Sequence, residues 1–199
     1  MSGAFPISTA KFESLGIKSI QNTIISKTVS GKKLARQIDG QRWGFTARVI
    51  TAKRSDVYGD LMAFIVKQRS GKENFTIIPP EVENARGTAS GTPNGTASAG
   101  DTSITLGGSG SGTLKAGDMI KFANHDKVYM VVADQSDIST GTLTIEPPLT
   151  TAVSSIDITY DNVPFTVHLT NDIQEFGVAG ADKDGNALYQ FEFDVEESL

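Results

Sequence analysis

Arg42-Trp43-Gly44-Phe45-Thr46-Ala47-Arg48-Val49-Ile50 is the stretch on which the fold turns. Trp43, Phe45, Ala47 and Val49 fall on one side of a two-residue period, the pattern of a strand with one face in a core and the other in water. The same alternation returns at the far end of the chain. There Tyr189, Phe191, Phe193 and Val195 share a face, with Gln190, Glu192, Asp194 and Glu196 opposite. Val163, Phe165, Val167 and Leu169 make a third such series, and Asp184-Gly185 between candidate strands is hairpin-turn chemistry. Strands of one character at both ends of a chain belong most simply to one sheet. Residues 1–84 and 163–199 are therefore expected to build a discontinuous, mainly β domain with residues 85–162 inserted into it.

Outward from the first strand, residues 55–69 read as the one helix. Val57, Leu61 and Ile65, beside Tyr58 and Met62, recur at helical spacing. Ser55 is placed to cap the start, Asp56 suits the positive end of the dipole, and Lys67 and Arg69 suit the negative end. Gly71 is placed to supply a left-handed stop. Phe75 to Ile78 follows as a short strand ended by Pro79-Pro80.

Near residue 85 the composition changes. Nine glycines lie between Ala85 and Asp118, with Ser, Thr and Ala filling most of the rest. This Gly/Ser/Thr-rich lead-in, residues 85–113, is expected to hold no packed strand apart from Ser103 to Leu106. Short β segments then follow at Asp118 to Phe122, Lys127 to Val132, Thr142 to Ile145 and Ser155 to Tyr160. Ala123-Asn124-His125-Asp126 forms the turn between the first two. About five strands in so short a span suit a small barrel such as an OB-fold.

Composition limits the function classes. The chain has 199 residues, 38% of them hydrophobic and 21% charged, enough apolar content for a core. A net charge of -5 argues against nucleic-acid binding through bulk charge. Zero cysteines exclude disulfides, thiolate nucleophiles and Cys-ligated metals. Leu61 to Val66, the longest apolar run, is too short to cross a bilayer, and the first residues lack a signal-peptide pattern. A β-rich protein made in a reducing compartment, with no membrane insertion, is expected. The charge is unevenly spread: residues 1–84 carry +6, residues 85–162 carry -4 and residues 163–199 carry -7. The basic beginning and the acidic end attract each other, within one domain or between neighbouring subunits.

Catalytic chemistry is hard to assemble from these residues. There are two histidines, His125 in a turn and His168 on the outward face of a strand. Asp182-Lys183-Asp184-Gly185-Asn186 has the acidic spacing of a calcium loop. Its glycine, however, stands fourth instead of sixth, and Phe193 occupies the twelfth position where a glutamate closes such sites. Gly108-Ser109-Gly110-Ser111-Gly112 could cradle a phosphate only with a following Lys-Ser/Thr helix, which Leu114-Lys115-Ala116-Gly117 does not supply. No carboxylate pair is singled out by an apolar setting, and Trp43 on its strand face reads as core. The expectation is a protein that is not an enzyme, with no cofactor and no metal.

Read in order, several segments resemble the distal tail protein of long, flexible-tailed bacteriophages, in the form that carries an inserted OB-fold. They are Trp43-Gly44 in an early strand, the helix Asp56 to Arg69 with Ser70-Gly71, the run Leu114-Lys115-Ala116-Gly117-Asp118-Met119-Ile120-Lys121-Phe122-Ala123-Asn124-His125-Asp126-Lys127-Val128-Tyr129, and the closing strand with Glu197-Ser198-Leu199. Lys-Ala-Gly-Asp followed by His-x-Lys-Val-Tyr is the most specific part. The resemblance implies a tail-tube-like β-sandwich or split barrel, assembled as a ring, usually a homo-hexamer, in the virion tail tip or baseplate after synthesis in the host cytoplasm. Such a ring joins the tail-tube protein above to the hub and receptor-binding apparatus below. Its inserted domain faces outward toward side fibres or host surface glycans, and DNA only passes through the lumen. Under this reading Arg42, Trp43, Arg48, Glu192, Asp194 and Glu196 are the candidate ring-interface residues, and Phe122, His125 and Tyr129 the candidate peripheral contacts. A carbohydrate-binding adhesin is the second reading the residues leave open.

Overall fold

The computed structural model describes residues 3–6, 12–38, 40–80 and 82–199. In chain order the elements are β1 (Phe12–Ile20), β2 (Thr23–Lys27), β3 (Lys33–Gln37), β4 (Arg42–Lys53), a π-helical turn (Arg54–Tyr58) running into α1 (Gly59–Lys67), a 3-10 turn (Ser70–Lys72) and β5 (Phe75–Ile77). There follow β6 (Pro93–Ala97), β7 (Ser103–Gly108), β8 (Met119–Phe122), β9 (Val128–Val131), β10 (Thr142–Glu146), β11 (Val153–Thr159), β12 (Phe165–Leu169), β13 (Gly177–Ala181) and β14 (Ala187–Glu197). The chain folds as two compact units, Met1–Phe75 with Val167–Glu197, and Thr76–Thr166 with Ser198–Leu199.

The first unit is built on a six-stranded sheet in the order β1-β4-β14-β12-β5, with β13 paired to β14. β14 runs antiparallel to β4 along one edge. Along its other edge it pairs with β13 near its start and β12 near its end. The alternation in the sequence is what this requires: Trp43, Phe45, Ala47 and Val49 of β4 and Phe191, Phe193 and Val195 of β14 are all buried. Phe5 stacks on Phe75 and packs tilted against Phe193, with ring centroids 5.8 and 5.2 Å away, and Phe64 of α1 meets Phe75 edge-on at 5.4 Å. Tyr58, Leu61 and Ile65 form the buried stripe of the helix. Each such fully buried side chain contributes roughly 1.5–3 kcal/mol of transfer free energy.

The helix begins and ends differently from the sequence expectation. Ser55 does not cap it; its hydroxyl reaches only Asp56 Oδ1, at 3.4 Å, and Lys53 precedes the first turn. That turn is one residue wider than an α turn, because the Gly59 N–H donates to Arg54 O. A Cβ at Gly59 would stand 2.7 Å from that same oxygen, so only glycine allows the approach. At the far end the left-handed residues are Arg69 (φ 52°) and Ser70 (φ 63°) instead of Gly71. β2 and β3 form a separate two-stranded hairpin around the turn at Ser30-Gly31.

The second unit is a closed antiparallel barrel in the order β10-β7-β6-β11-β8-β9. It has one strand more than the sequence count, and the addition is β6, in the stretch expected to stay unpacked. Pro93-Asn94-Gly95-Thr96-Ala97 looks like a loop, yet it pairs with β7 on one side and β11 on the other. Closure explains the composition. A Cβ on Gly95 would lie 2.7 Å from Ile104 Cγ2 and 2.9 Å from Phe122 Cε1, so the wall draws close to the interior only where a side chain is missing. Ile104, Leu114, Ile120, Phe122, Tyr129, Val131, Leu143 and Ile145 fill that interior.

Candidate functional site

The polar face of the first unit is a cross-strand ladder of opposite charges. Because β4 and β14 pair in register, Glu192 stands opposite Arg48, Asp194 opposite Thr46 and Glu196 opposite Gly44. Arg42 Nη1 binds Glu196 Oε1 at 3.1 Å, and Lys18 Nζ on β1 binds Asp194 Oδ1 at 3.4 Å. Arg48 reaches Glu13 Oε2 at 3.3 Å and donates to Gln190 Oε1 at 2.6 Å; Gln190 in turn donates to Glu13. At the end of the ladder Lys53 pairs with Asp182. Hydrogen bonds from Lys53, from the Asn186 side chain and backbone and from the Asp184 N–H hold the Asp182 carboxyl far below the usual carboxylate range. The Asp182–Asn186 loop is thereby a self-bonded turn clasped by a lysine, and among the described residues no group of three or more His, Asp or Glu could hold a metal ion.

Five of the six residues expected at a ring interface thus lie on one polar face, where several are paired within their own chain. The sixth, Trp43, is only 6% exposed and belongs to the core; its backbone N–H donates to Glu197 Oε2 at 3.1 Å. Beside the ladder a cleft of about 310 Å³ is lined by Arg48, Glu175, Gly177, Val178, Ala179, Gln190 and Glu192.

On the barrel, the turn between β8 and β9 carries His125 at the edge of a cleft of about 290 Å³, lined also by Lys121, Asn124, Asp126, Thr159 and Pro164. Phe122 and Tyr129, expected as surface contacts, are fully buried in the barrel core. They flank the imidazole, with ring centroids 5.8 and 5.5 Å away. His125 Nε2 lies 2.8 Å from the Tyr129 hydroxyl, which also accepts the Thr150 N–H at 3.0 Å, and His125 Nδ1 lies 2.7 Å from Asn124 Oδ1. With Asn124 accepting from Nδ1–H, the Tyr129 hydroxyl donates to Nε2, which fits a neutral ring. Burial first, then the Lys121 ammonium, pushes the His125 pKa below its ordinary value. Lys121 Nζ itself binds Asp126 Oδ1 at 2.8 Å. The network orders a turn, with the Tyr129 hydroxyl shared between the imidazole and Thr150.

The Lys115-Ala116-Gly117-Asp118 motif is a structural clasp. Asp118, its side chain buried, accepts N–H bonds from Lys115 at 2.7 Å and Arg86 at 3.0 Å, and Lys115 Nζ binds Asp134 at 2.9 Å. Asp134 also accepts the Ala116 N–H at 2.9 Å. Sequence reasoning missed two further surfaces. One is the exposed β2–β3 hairpin, which Ser30-Gly31 between two apolar-containing runs could have signalled; the other is the exposed strand β13. Among the described residues no helix is long and apolar enough to cross a membrane.

The second unit is a closed β-barrel, the first is built on an antiparallel sheet, and the polar side chains named above hold turns and strands in each. Residues 81–160 match the family model described as "Distal tail protein pb9, B domain". The barrel is therefore similar to the B domain of a distal tail protein. A search of curated proteins finds no match to the chain.

Proposed function

We propose that this protein forms a ring, a homo-hexamer, at the tail tip, joining the tail tube to the hub and receptor-binding apparatus. The observation that carries this reading is the match of the barrel to a distal tail B domain. The sheet unit, formed from both ends of the chain, is the ring-forming part, and the barrel is the outward-facing part. Arg42, Arg48, Glu192, Asp194 and Glu196 supply a charged face toward a neighbour or the lumen, where like charge keeps passing DNA from sticking. Assembly takes place in the host cytoplasm and the product is carried in the virion.

Much of the charge asymmetry is satisfied inside the chain, so the ring is expected to tolerate salt better than the raw +6 and -7 suggest. Light scattering or native mass spectrometry at low and high salt tests the reading: a closed species near six copies supports it, and a monomer at every concentration refutes it. A second reading rests on the cleft beside His125, whose mixed lining of Lys121, Asn124, Asp126 and Pro164 suits a host surface glycan or a side-fibre loop. A glycan array with the wild-type chain and a Lys121→Ala variant tests it.

A further inference from the structure

The β2–β3 hairpin is a separate two-stranded sheet exposed along both strands, an arrangement only marginally stable in water by itself. Pairing of Ile24 with Arg36 and of Ser26 with Leu34 puts Ile24, Leu34 and Ile38 on one face. They are 57%, 49% and 60% exposed. The same hairpin carries Lys27, Lys32, Lys33 and Arg36, and no Asp or Glu occurs from Ile20 to Ile38. Arg36 shares that face and Lys27 and Lys33 pair on the opposite one, so the hairpin as a whole is aliphatic and basic and calls for a partner that is both apolar and acidic.

Such a surface exists elsewhere on the same unit. From Thr170 to Ala181 the chain has Asp172 and Glu175 and no Lys or Arg. Ile173 and Val178 there are 78% and 63% exposed. β13 is exposed along its whole length and pairs with β14 alone among the described strands. Glu175 and Glu192 line the cleft beside it, while the one cation there, Arg48, is held by Glu13 and Gln190.

We propose that the hairpin face of one copy seats on the β13 cleft of a second copy, with Ile24, Leu34 and Ile38 against Val178 and Ile173, and Arg36 against Glu175 or Glu192. The contact joins two different surfaces, so it is heterologous and propagates head to tail until rotation closes it. It rests on the ring reading above and names the surfaces that make the ring.

The chain has no cysteine, so Ile24→Cys and Val178→Cys provide clean probes at exposed positions. A short bis-maleimide is expected to convert the double variant into a ladder of covalent oligomers. Mixed single variants should give dimers only, and each single variant alone should stay uncross-linked. Arg36→Glu is expected to weaken assembly about tenfold, with Glu192→Lys in the same chain restoring it. A ring of normal mass that yields no cross-link overturns this contact and leaves the ring intact. Cross-linking by Ile24→Cys alone overturns it in favour of a symmetric hairpin pair. A wild type that never assembles removes the ring and this contact together.

Discussion

Replacing Gly95 by alanine tests why the barrel closes where it does. The added methyl would stand 2.7 Å from Ile104 Cγ2, 2.9 Å from Phe122 Cε1 and 3.4 Å from Ile158 Cδ1. Ile104 and Phe122 are fully buried, so neither can swing into solvent. Carbon atoms in contact sit roughly 3.5–4.0 Å apart, so the neighbours must retreat by about 1 Å. Overpacking on that scale costs about 1–3 kcal/mol, while removing a glycine restrains the unfolded chain by about 0.4–1 kcal/mol, which leaves a net loss of about 1–2 kcal/mol. At about 4–8 °C per kcal/mol in a domain of this size, the barrel's calorimetric transition should fall by about 5–15 °C. Ile104→Ala on its own opens a cavity and costs about 2–5 kcal/mol. With both changes the new methyl occupies part of the vacated space, so the double variant should lose less than the sum by about 1 kcal/mol. A Gly95→Ala protein melting within about 1 °C of wild type, or strict additivity with Ile104→Ala, would refute the steric account.

Tyr58 Oη is buried with no hydrogen-bond partner among the described residues, and burial, aided by Tyr189, pushes its pKa up to about 12. Tyr58→Phe should leave urea stability unchanged or raise it by up to about 1 kcal/mol, and a clear loss would mean that the hydroxyl is satisfied. Asp182 is held ionised by Lys53, Asn186 and Asp184, so its contribution is complete above the ordinary carboxylate value near pH 4 and is lost as pH falls below it. Asp182→Asn should therefore lower stability at pH 7 and flatten the acid side of the curve, read as urea midpoints from about pH 7 to 2. For His125 the folded pKa lies below the unfolded one, so the barrel should weaken as pH drops through about 6.5, and His125→Gln should remove that slope. Tyr129→Phe leaves the Thr150 N–H without its acceptor and should cost about 1–3 kcal/mol in the same denaturation assay.

What the sequence made legible follows from how each residue is constrained. β4 and β14 could be read because one buried face forces a strict two-residue period from Trp43 to Val49 and from Phe191 to Val195. The barrel's later strands could be read from their density and from the turn at residues 123–126. β6 could not, because Gly95 acquires its meaning only from Ile104, Phe122 and Ile158, which approach it from other strands. The resemblance makes Tyr129 a candidate peripheral contact, and nothing in its local sequence shows what its hydroxyl bonds to. In the structure Thr150, 21 residues away in sequence, and His125 satisfy that hydroxyl inside the barrel. Ser55 has the chemistry of a helix cap, but a first turn widened around Gly59 leaves it no N–H to accept from. The charge imbalance was visible in the sequence, while its local pairing depended on a strand register that no local pattern encodes.

β5 and β12 are neighbours in one sheet, and the chain passes from the sheet unit to the barrel at residue 76 and returns at residue 167. A segment that departs and rejoins through neighbouring strands of one sheet can be removed without changing the order of the strands it leaves behind. It can equally be exchanged for another module with closely spaced ends, without rethreading a single strand of the sheet. Lineages that share this sheet are thereby free to acquire, discard or trade the barrel as a unit, and the two halves can diverge at different rates.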